Sequence, residues 1–179
     1  MAIEIERKFL PASEAWRGQV ERSIRMAQGY LNPASAVRDG LQQTSIRVRI
    51  AGDEAWLNIK SRELGAQRQE FEYAIPVADA EALLALCVGG RVEKLRHHVH
   101  HGGHLWEVDE FLGDNVGLIV AEIELSAPDE AFARPDWLGL EVTDQARYYN
   151  LNLSERPWSG WSAFTMLGWS RRESRRTSR

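Results

Sequence analysis

The chain has 179 residues, 44% of them hydrophobic, and a formal net charge of −4 at pH 7, which suits one domain of ordinary size with a buried core. The charge is uneven, because the last ten residues hold five arginines against one glutamate and the rest of the chain carries −8. A net acidic body argues against a general nucleic-acid-binding surface, so nucleic acid is not an expected partner, and the basic tail is either a solvated, disordered end or a contact for anions.

The first predicted element is a strand in the N-terminal stretch MAIEIERKFL. Successive side chains of a strand point to opposite faces, so Glu4, Glu6 and Lys8 would line one face. No charged and apolar leader precedes this strand, and no apolar run approaches the ~18 residues of a membrane span. The sequence therefore predicts a cytoplasmic protein with no membrane partner.

Five further segments alternate in the same way and are predicted to be strands. The polar face of each tends toward one sign of charge, unlike a generic solvated surface. These polar faces hold Arg47 and Arg49 in residues 45–50, Asn58 and Lys60 in residues 55–61, and Glu70 and Glu72 in residues 69–75. They hold Lys94 and Arg96 in residues 91–99, and Glu122 and Glu124 in residues 120–125.

Short helices are predicted between these strands from capping residues and turn signals. Ser13 would cap a helix around residues 14–17, and Asp79 one over residues 80–87 that ends at Gly89 and Gly90. Cys87, the single cysteine, is expected to be a small buried side chain of the second helix. Two more helices are predicted to start at Asp129 and at Thr143, the latter around residues 144–150.

The dipeptide Gly102-Gly103 predicts a two-residue hairpin turn between His101 and His104, since paired glycines readily adopt the positive φ that such turns require. The turn fixes a register. Counting back from it pairs His98 with Glu107 and Arg96 with Asp109, so bases and acids would meet on one face of the hairpin. The whole pattern is that of an antiparallel, strand-rich α+β domain.

The charged faces leave two arrangements open. An antiparallel sheet can expose its polar face to water, or a closed barrel can turn its polar faces inward and bury its apolar faces beneath helices. Carboxylates in number suit Mg²⁺ or Mn²⁺, while clustered arginine and lysine suit phosphate oxygens, so the two sets together favour a metal and polyphosphate site. The motif GxxxxGK[ST] is absent, which excludes a P-loop mechanism.

The stretch EIERKFL resembles the ExExK signature of CYTH-domain proteins, the triphosphate tunnel metalloenzymes. The resemblance implies an eight-stranded antiparallel barrel with a polar lumen and short helices packed outside, in a domain spanning residues 1–158. A tryptophan- and arginine-rich extension, partly disordered, would follow at residues 159–179. Further similar blocks occur in chain order at residues 28–31, 46–50, 57–61, 70–73, 92–97, 106–111, 121–125 and 139–150.

The resemblance also implies roles for residues at matching positions. Two divalent ions, Mg²⁺ or Mn²⁺, would be bound by Glu4, Glu6, Glu122 and Glu124, with Asp109 and Glu107 nearby. The triphosphate would be held by Arg47, Arg49, Lys60, Lys94 and Arg96, with a further contact from Arg147 on a short helix that plugs the tunnel. Lys8 and Tyr30 would activate the attacking water.

The function implied is that of an inorganic triphosphatase, which cleaves tripolyphosphate by in-line attack of water. Lys8 is expected to be the base, with a pKa lowered by neighbouring cations, which predicts an alkaline optimum. Thiamine triphosphatase, nucleoside triphosphatase, class IV-type adenylate cyclase and a non-catalytic binder of polyphosphate or RNA 5′-triphosphate ends remain open, because all would share one metal and triphosphate site. A homodimer is also left open.

Two features depart from the family pattern. The stretch HHVHHGGH is expected to be a solvent-facing hairpin tip, with a metal site as the alternative. Trp158, Trp161 and Trp169 are expected to cover the outside of the barrel, with stacking on nucleic-acid bases as the alternative.

Overall fold

The computed structural model describes residues 2–62 and 66–161, which form nine strands and several short helices. Helices α1, α2 and α3 are Ala34–Arg38, Val77–Leu84 and Asn150–Glu155, and 3₁₀ helices cover Glu14–Gln19, Gly113–Asn115, Ala146–Tyr148 and Trp158–Gly160. The strands are β1 (Ala2–Pro11), β2 (Arg22–Tyr30), β3 (Thr44–Ala51), β4 (Glu54–Ser61), β5 (Gln67–Ala74), β6 (Val88–His101), β7 (His104–Phe111), β8 (Ile119–Glu124) and β9 (Leu138–Glu141).

Eight of these strands close into an antiparallel barrel. The sheet runs in the order β5-β4-β3-β2-β6-β7-β8-β1, and pairing of β1 with β5 closes it. At this closing seam Glu4 lies opposite Arg68 and Ala2 opposite Glu70. Strand β9 adds to β1 near Phe9 and Pro11. The predicted eight-stranded barrel is thereby confirmed.

The apolar strand faces point outward and are covered by short helices and loops. Phe9 on β1 and Trp106 on β7 are completely buried there, and Trp137 packs against Trp106 with ring centroids 5.8 Å apart. Trp16, from the first 3₁₀ helix, belongs to the same cluster. Burying a large apolar side chain contributes roughly 1.5–3 kcal/mol, so this outer layer supplies the core that the charged lumen does not provide.

Two further apolar clusters hold the helices. One packs α2 over the outer face of β3 through Leu84 and Val48, so α2 lies outside the barrel as predicted. The other packs α3 over β6 through Leu153 and Val92. Val92 lies on the inward face of β6 and residues 149–152 border the lumen, so α3 lies at an end of the lumen and not outside the barrel.

The predicted hairpin is confirmed residue by residue. His101 pairs with His104, His98 with Glu107 and Arg96 with Asp109. Gly102 and Gly103 have φ values of 58° and 83°, a backbone conformation that glycine adopts without the steric penalty that a side chain brings.

Several helix predictions need correction. Ser13 does cap the first 3₁₀ helix, accepting a hydrogen bond from Ala15 N over 3.4 Å. Helix α2, however, begins at Val77 after Pro76, so Asp79 lies in its first turn and is not the cap. Proline suits a helix start because its fixed φ is compatible with helical geometry and its nitrogen has no hydrogen to satisfy.

Asp129 starts no helix; it lies in a turn within the loop between β8 and β9. Thr143 also lies in a turn, where its hydroxyl oxygen accepts from Lys8 N over 3.1 Å and donates to Glu141 over 2.8 Å. These side-chain bonds to neighbouring strands replace the capping role that was predicted. Cys87 is half-buried and not fully buried, although it packs against the α2 cluster.

The C-terminal part of the described chain covers the barrel as expected. Trp158 and Trp161 pack against the cluster that contains Tyr148 and Leu153. Trp169 lies outside the described residues, as does most of the predicted extension, so the boundary at residue 158 stays a prediction. Within residues 2–62 and 66–161, no helix combines the length and the apolarity needed to cross a membrane. The cytoplasmic location stays a prediction.

Candidate active site

The lumen of the barrel is a cavity of about 1000 Å³ lined mainly by charged side chains. Its bases lie mainly on β3, β4 and β6 and its acids mainly on β7, β8, β1 and β5, because each strand contributes the polar face that its sequence pattern predicted. The charged residues on its wall are Glu4, Glu6, Lys8, Arg47, Arg49, Lys60, Arg68, Glu70, Glu72, Lys94, Arg96, Glu107, Glu122 and Glu124, with Arg38 and Arg62 also bordering it.

Lys8 lies between two carboxylates. Its ammonium forms buried ion pairs with Glu6 and with Glu122, the residue directly opposite it on β8. Burial alone lowers the pKa of Lys8, but the charges of Glu122 and Glu6 outweigh burial and raise it above its ordinary value. The expected lowering of this pKa is therefore wrong for the structure described here, because the nearest charges are carboxylates.

Arg96 connects three carboxylates, two on the wall of the lumen and one buried behind it. Its guanidinium donates to Asp109 twice, each over 2.7 Å, to Glu122 over 2.7 Å, and to Glu107. Asp109 also pairs with Lys94, a fully buried lysine. Burial and the adjacent Arg96 lower the pKa of Lys94 to about 8.

The closing seam holds a second ionic group. Lys60 Nζ contacts both oxygens of Glu4, over 2.7 and 2.8 Å, and Arg68 donates to Glu4 over 3.0 Å and to Glu6 over 3.3 Å. The Arg68 guanidinium also lies 5.4 Å from the ring centre of Tyr149. Arg68 is absent from the residues predicted from the sequence, although extending the alternation of Glu72 and Glu70 by two residues would place it on the same face.

Arg47 and Arg49 lie on β3, and each has one donor without a partner among the described residues. Arg47 is 3.6 Å from Glu70 and Arg49 is 2.9 Å from Glu72. That donor is the Nε of each arginine, which is buried and forms no hydrogen bond within residues 2–62 and 66–161. Because a buried unsatisfied donor is unfavourable, these two groups are suited to an anionic ligand in the lumen.

Tyr30 is buried on the lumen wall next to Gln28. Gln28 Nε2 donates to the Tyr30 hydroxyl over 3.1 Å, while Gln28 Oε1 is buried and has no partner among the residues described. Burial raises the pKa of Tyr30, and nearby Arg47 and Arg68 oppose that rise. Tyr30 is therefore in its neutral form near pH 7.

Glu124 differs from the other acids of the lumen. In the part of the chain that is described, it makes no ion pair or hydrogen bond. Burial, followed by the charges of Glu4, Glu107 and Glu6, raises the pKa of Glu124. An acid surrounded by other acids favours a cation, so the donor set here fits a hard divalent metal. Among the described residues, no three histidine, cysteine, aspartate or glutamate side chains converge closely enough to hold a metal ion in their present positions.

Two of the predicted site residues lie away from the cavity wall. Asp109 is completely buried behind Lys94 and Arg96. Arg147 lies with its guanidinium 4.8 Å from the ring centre of Tyr148 and 4.9 Å from that of Trp161. The segment after it does border the cavity, through residues 149–152. The metal role of Asp109 and the phosphate role of Arg147 stay predictions.

The histidines of the hairpin contact separate partners. His97 lies 2.7 Å from Ser23 and 3.2 Å from Glu110, and it is buried. His100 and His104 pair with Glu21 and Glu130, over 3.0 and 2.8 Å. Since the described histidines do not converge, this structure gives no support to the alternative of a metal site here.

A closed antiparallel barrel whose lumen carries opposed acids and bases defines a class of protein, the charged β-tunnel. The CYTH domain family model matches residues 2–156. The chain belongs to the CYTH family, as its N-terminal signature indicated.

Relatives with established names agree with this assignment. An inorganic triphosphatase of Acetivibrio thermocellus is 41% identical over 159 residues, covering 88% of this chain and 97% of the relative. An inorganic triphosphatase of Nitrosomonas europaea is 38% identical over 154 residues, covering 84% and 96%. The crystal structure of an inorganic triphosphatase superimposes with a TM-score of 0.61 at 35% identity, covering 86% of this chain and 95% of that one.

Proposed function

We propose that this chain is a divalent-metal-dependent inorganic triphosphatase, which hydrolyses tripolyphosphate to pyrophosphate and phosphate. The observation that carries the proposal is the closed lumen lined by basic side chains, in which the Nε groups of Arg47 and Arg49 have no hydrogen-bond partner in the part of the chain that is described. The names of the relatives from Acetivibrio thermocellus and Nitrosomonas europaea support the same activity.

The basic side chains would bind the substrate. Tripolyphosphate carries about four or five negative charges near neutrality, and phosphoryl transfer depends mainly on positioning and charge neutralisation. Planar guanidinium groups suit phosphate oxygens, while lysines act as point charges. The proposed substrate-binding residues are Arg47, Arg49, Lys60, Lys94 and Arg96, with Arg147 kept as a predicted further contact.

The acidic side chains would bind the metal. Glu4, Glu6, Glu122 and Glu124 provide hard oxygen donors of the kind that Mg²⁺ or Mn²⁺ prefers, and Glu124 is the one not already neutralised. When bound, the ions would neutralise phosphate charge and acidify a water molecule. Two ions are part of the proposal, and Asp109 is kept as a predicted further ligand.

Lys8 and Tyr30 would act on the reacting phosphate and water. Glu122 and Glu6 raise the pKa of Lys8 in the metal-free protein, and metal ions bound by the same carboxylates would oppose that effect. Lys8 is therefore kept in the proposal as the base that activates the attacking water. Tyr30, neutral and hydrogen-bonded by Gln28, would orient the water through its hydroxyl group.

A panel of substrates tests the proposal. Phosphate release is measured with tripolyphosphate, ATP and thiamine triphosphate, each with Mg²⁺, with Mn²⁺ and with chelator, while nucleotide products are separated by chromatography. Metal-dependent release that is fastest from tripolyphosphate is expected. Faster turnover of an organic triphosphate, formation of a cyclic nucleotide, or tight binding without turnover would each contradict it and identify one of the other activities.

A further inference from the structure

Arg68 occupies a position that no step of the proposed reaction explains. It enters the lumen from β5 directly opposite Glu4 of β1, at the seam that closes the barrel. Of the described residues, it is the one whose side chain bridges Glu4 and Glu6, through Nε and Nη2. Its side chain is only 11% exposed, so its charge is largely shielded from solvent.

The oxygens that Arg68 engages belong to the same carboxylates that the proposed metal needs. A divalent ion requires ionised carboxylate oxygens, and its charge repels a guanidinium in contact with the same groups. Arg68 and a metal at Glu4 and Glu6 therefore exclude or weaken each other. Lys60 and Lys8 also contact these acids, but each touches only one of the pair.

Arg68 also has an aromatic partner, the ring of Tyr149. The Tyr149 ring, at the segment that borders the cavity, lies 5.4 Å from its guanidinium carbon. A cation over an aromatic face is attracted by the ring even without a carboxylate partner. The guanidinium can thus leave Glu4 and Glu6 without becoming an unpartnered buried charge.

We propose that Arg68 is an internal counter-ion that neutralises Glu4 and Glu6 in the metal-free protein and competes with the divalent ion for them. Metal binding then includes displacement of this guanidinium toward Tyr149. The proposal rests on the proposed function in placing a metal at Glu4 and Glu6. Arg68 is a positioning residue, which sets how tightly the metal binds and keeps the acidic pair in place before it arrives.

The test is calorimetric titration of Mn²⁺ into the whole protein in the absence of triphosphate, so that no activity enters the readout. Arg68→Gln should bind Mn²⁺ about tenfold more tightly than the wild type, because the competing charge is gone. Arg68→Lys keeps the charge but cannot contact both carboxylates through a planar fork, so its affinity should lie between the two. The increase in Tm on adding Mn²⁺ should follow the same order.

Arg7→Gln is the matched control. Arg7 is on the same strand as Glu6 but on the outer face, where it pairs with Glu141, so its removal deletes one charge without changing the contacts of the acidic pair. Its Mn²⁺ affinity should stay within about twofold of the wild type. Circular dichroism of every variant confirms the barrel, and Arg68→Lys supplies the comparison if Arg68→Gln does not fold.

The outcomes separate this inference from the proposed function. Equal or weaker Mn²⁺ binding by folded Arg68→Gln, with a wild type that binds Mn²⁺ and hydrolyses tripolyphosphate, overturns the role of Arg68 alone. If neither the wild type nor Arg68→Gln binds Mn²⁺, both the proposed metal site and the proposed role of Arg68 are wrong. Tighter binding by Arg7→Gln as well would assign the effect to net charge and also overturn the inference.

Discussion

Lys8 and Glu122 lie opposite each other on β1 and β8, and their side chains form an ion pair buried in the lumen. Each also has a second partner, Glu6 for Lys8 and Arg96 for Glu122. Breaking a buried pair by removing one member leaves an uncompensated charge. Since the second partners remain, we expect Lys8→Met and Glu122→Gln each to lower the free energy of unfolding by about 2–4 kcal/mol.

The double variant measures the pair itself. Lys8→Met combined with Glu122→Gln should lose less stability than the sum of the single changes, with a coupling energy of about 1–3 kcal/mol. Urea unfolding of the four proteins gives this value. Strictly additive losses would mean that the two charges do not interact in solution.

Arg96 should be more sensitive to conservative replacement than any surface arginine. Arg96→Lys retains the charge, but one ammonium cannot donate to Asp109, Glu107 and Glu122 together. Because Asp109 is fully buried, we expect a loss of about 2–4 kcal/mol in unfolding free energy. Arg25→Lys is the control, since Arg25 forms an exposed pair with Glu93 and should change stability by less than about 0.5 kcal/mol. Equal effects at the two positions would contradict this explanation.

The pairing of acids with bases in the lumen could be predicted where a short sequence motif determines the strand register. The Gly102-Gly103 turn fixed the register that places Arg96 opposite Asp109, because a two-residue hairpin allows few alternatives. The inward direction of the charges could not be derived in this way, since alternation alone does not choose between a lumen and a solvated face.

What the sequence did not predict depends on contacts between distant segments. Arg68 lies opposite Glu4 only because β1 and β5 pair to close the barrel. No turn or alternation in the sequence near either strand predicts that pairing. The pKa of Lys8 was predicted in the wrong direction for a related reason, since it depends on which charges approach most closely, and these are Glu122 and Glu6.

Glu130 links the hairpin to the loop that covers the barrel. One of its oxygens lies 2.8 Å from His104 Nε2, and the other accepts from the Ser126 hydroxyl over 2.6 Å and from its backbone nitrogen over 2.5 Å. Hydrogen bonds from Ser126 and His104 lower the pKa of Glu130 to about 2, from an ordinary 4.5. A carboxyl group with a lowered pKa in the folded state stabilises the fold above pH 4.5, and that contribution is lost as pH falls toward 2.

Glu130→Gln should therefore be less stable than the wild type at pH 7, and the difference should shrink between pH 4.5 and pH 2. Urea midpoints at pH 7, 4 and 3 measure it. Glu54→Gln is the control, because Glu54 is exposed and, among the described residues, forms no ion pair, so its effect should be small and constant. A Glu130 effect that is unchanged at pH 3 would show that the ionised carboxylate is not the stabilising group.

Glu124 should affect stability and metal binding in opposite directions. Burial and the charges of Glu4, Glu107 and Glu6 raise the pKa of Glu124, so its ionised form is destabilising in the metal-free protein at pH 7. Glu124→Gln removes that repulsion and should raise the Tm of the metal-free protein. The same change deletes a proposed metal ligand, and it should weaken Mn²⁺ binding by about tenfold or more and reduce tripolyphosphate hydrolysis.

Thermal unfolding with chelator and calorimetric titration with Mn²⁺ measure the two effects independently. Glu72→Gln is the matched control, because Glu72 borders the same cavity but already pairs with Arg49 and Asn58, so its removal should not stabilise the metal-free protein. A lower Tm for metal-free Glu124→Gln would mean that the acids around Glu124 do not repel it. Unchanged Mn²⁺ affinity would remove Glu124 from the proposed metal site, because loss of a direct carboxylate ligand must weaken the binding of the ion.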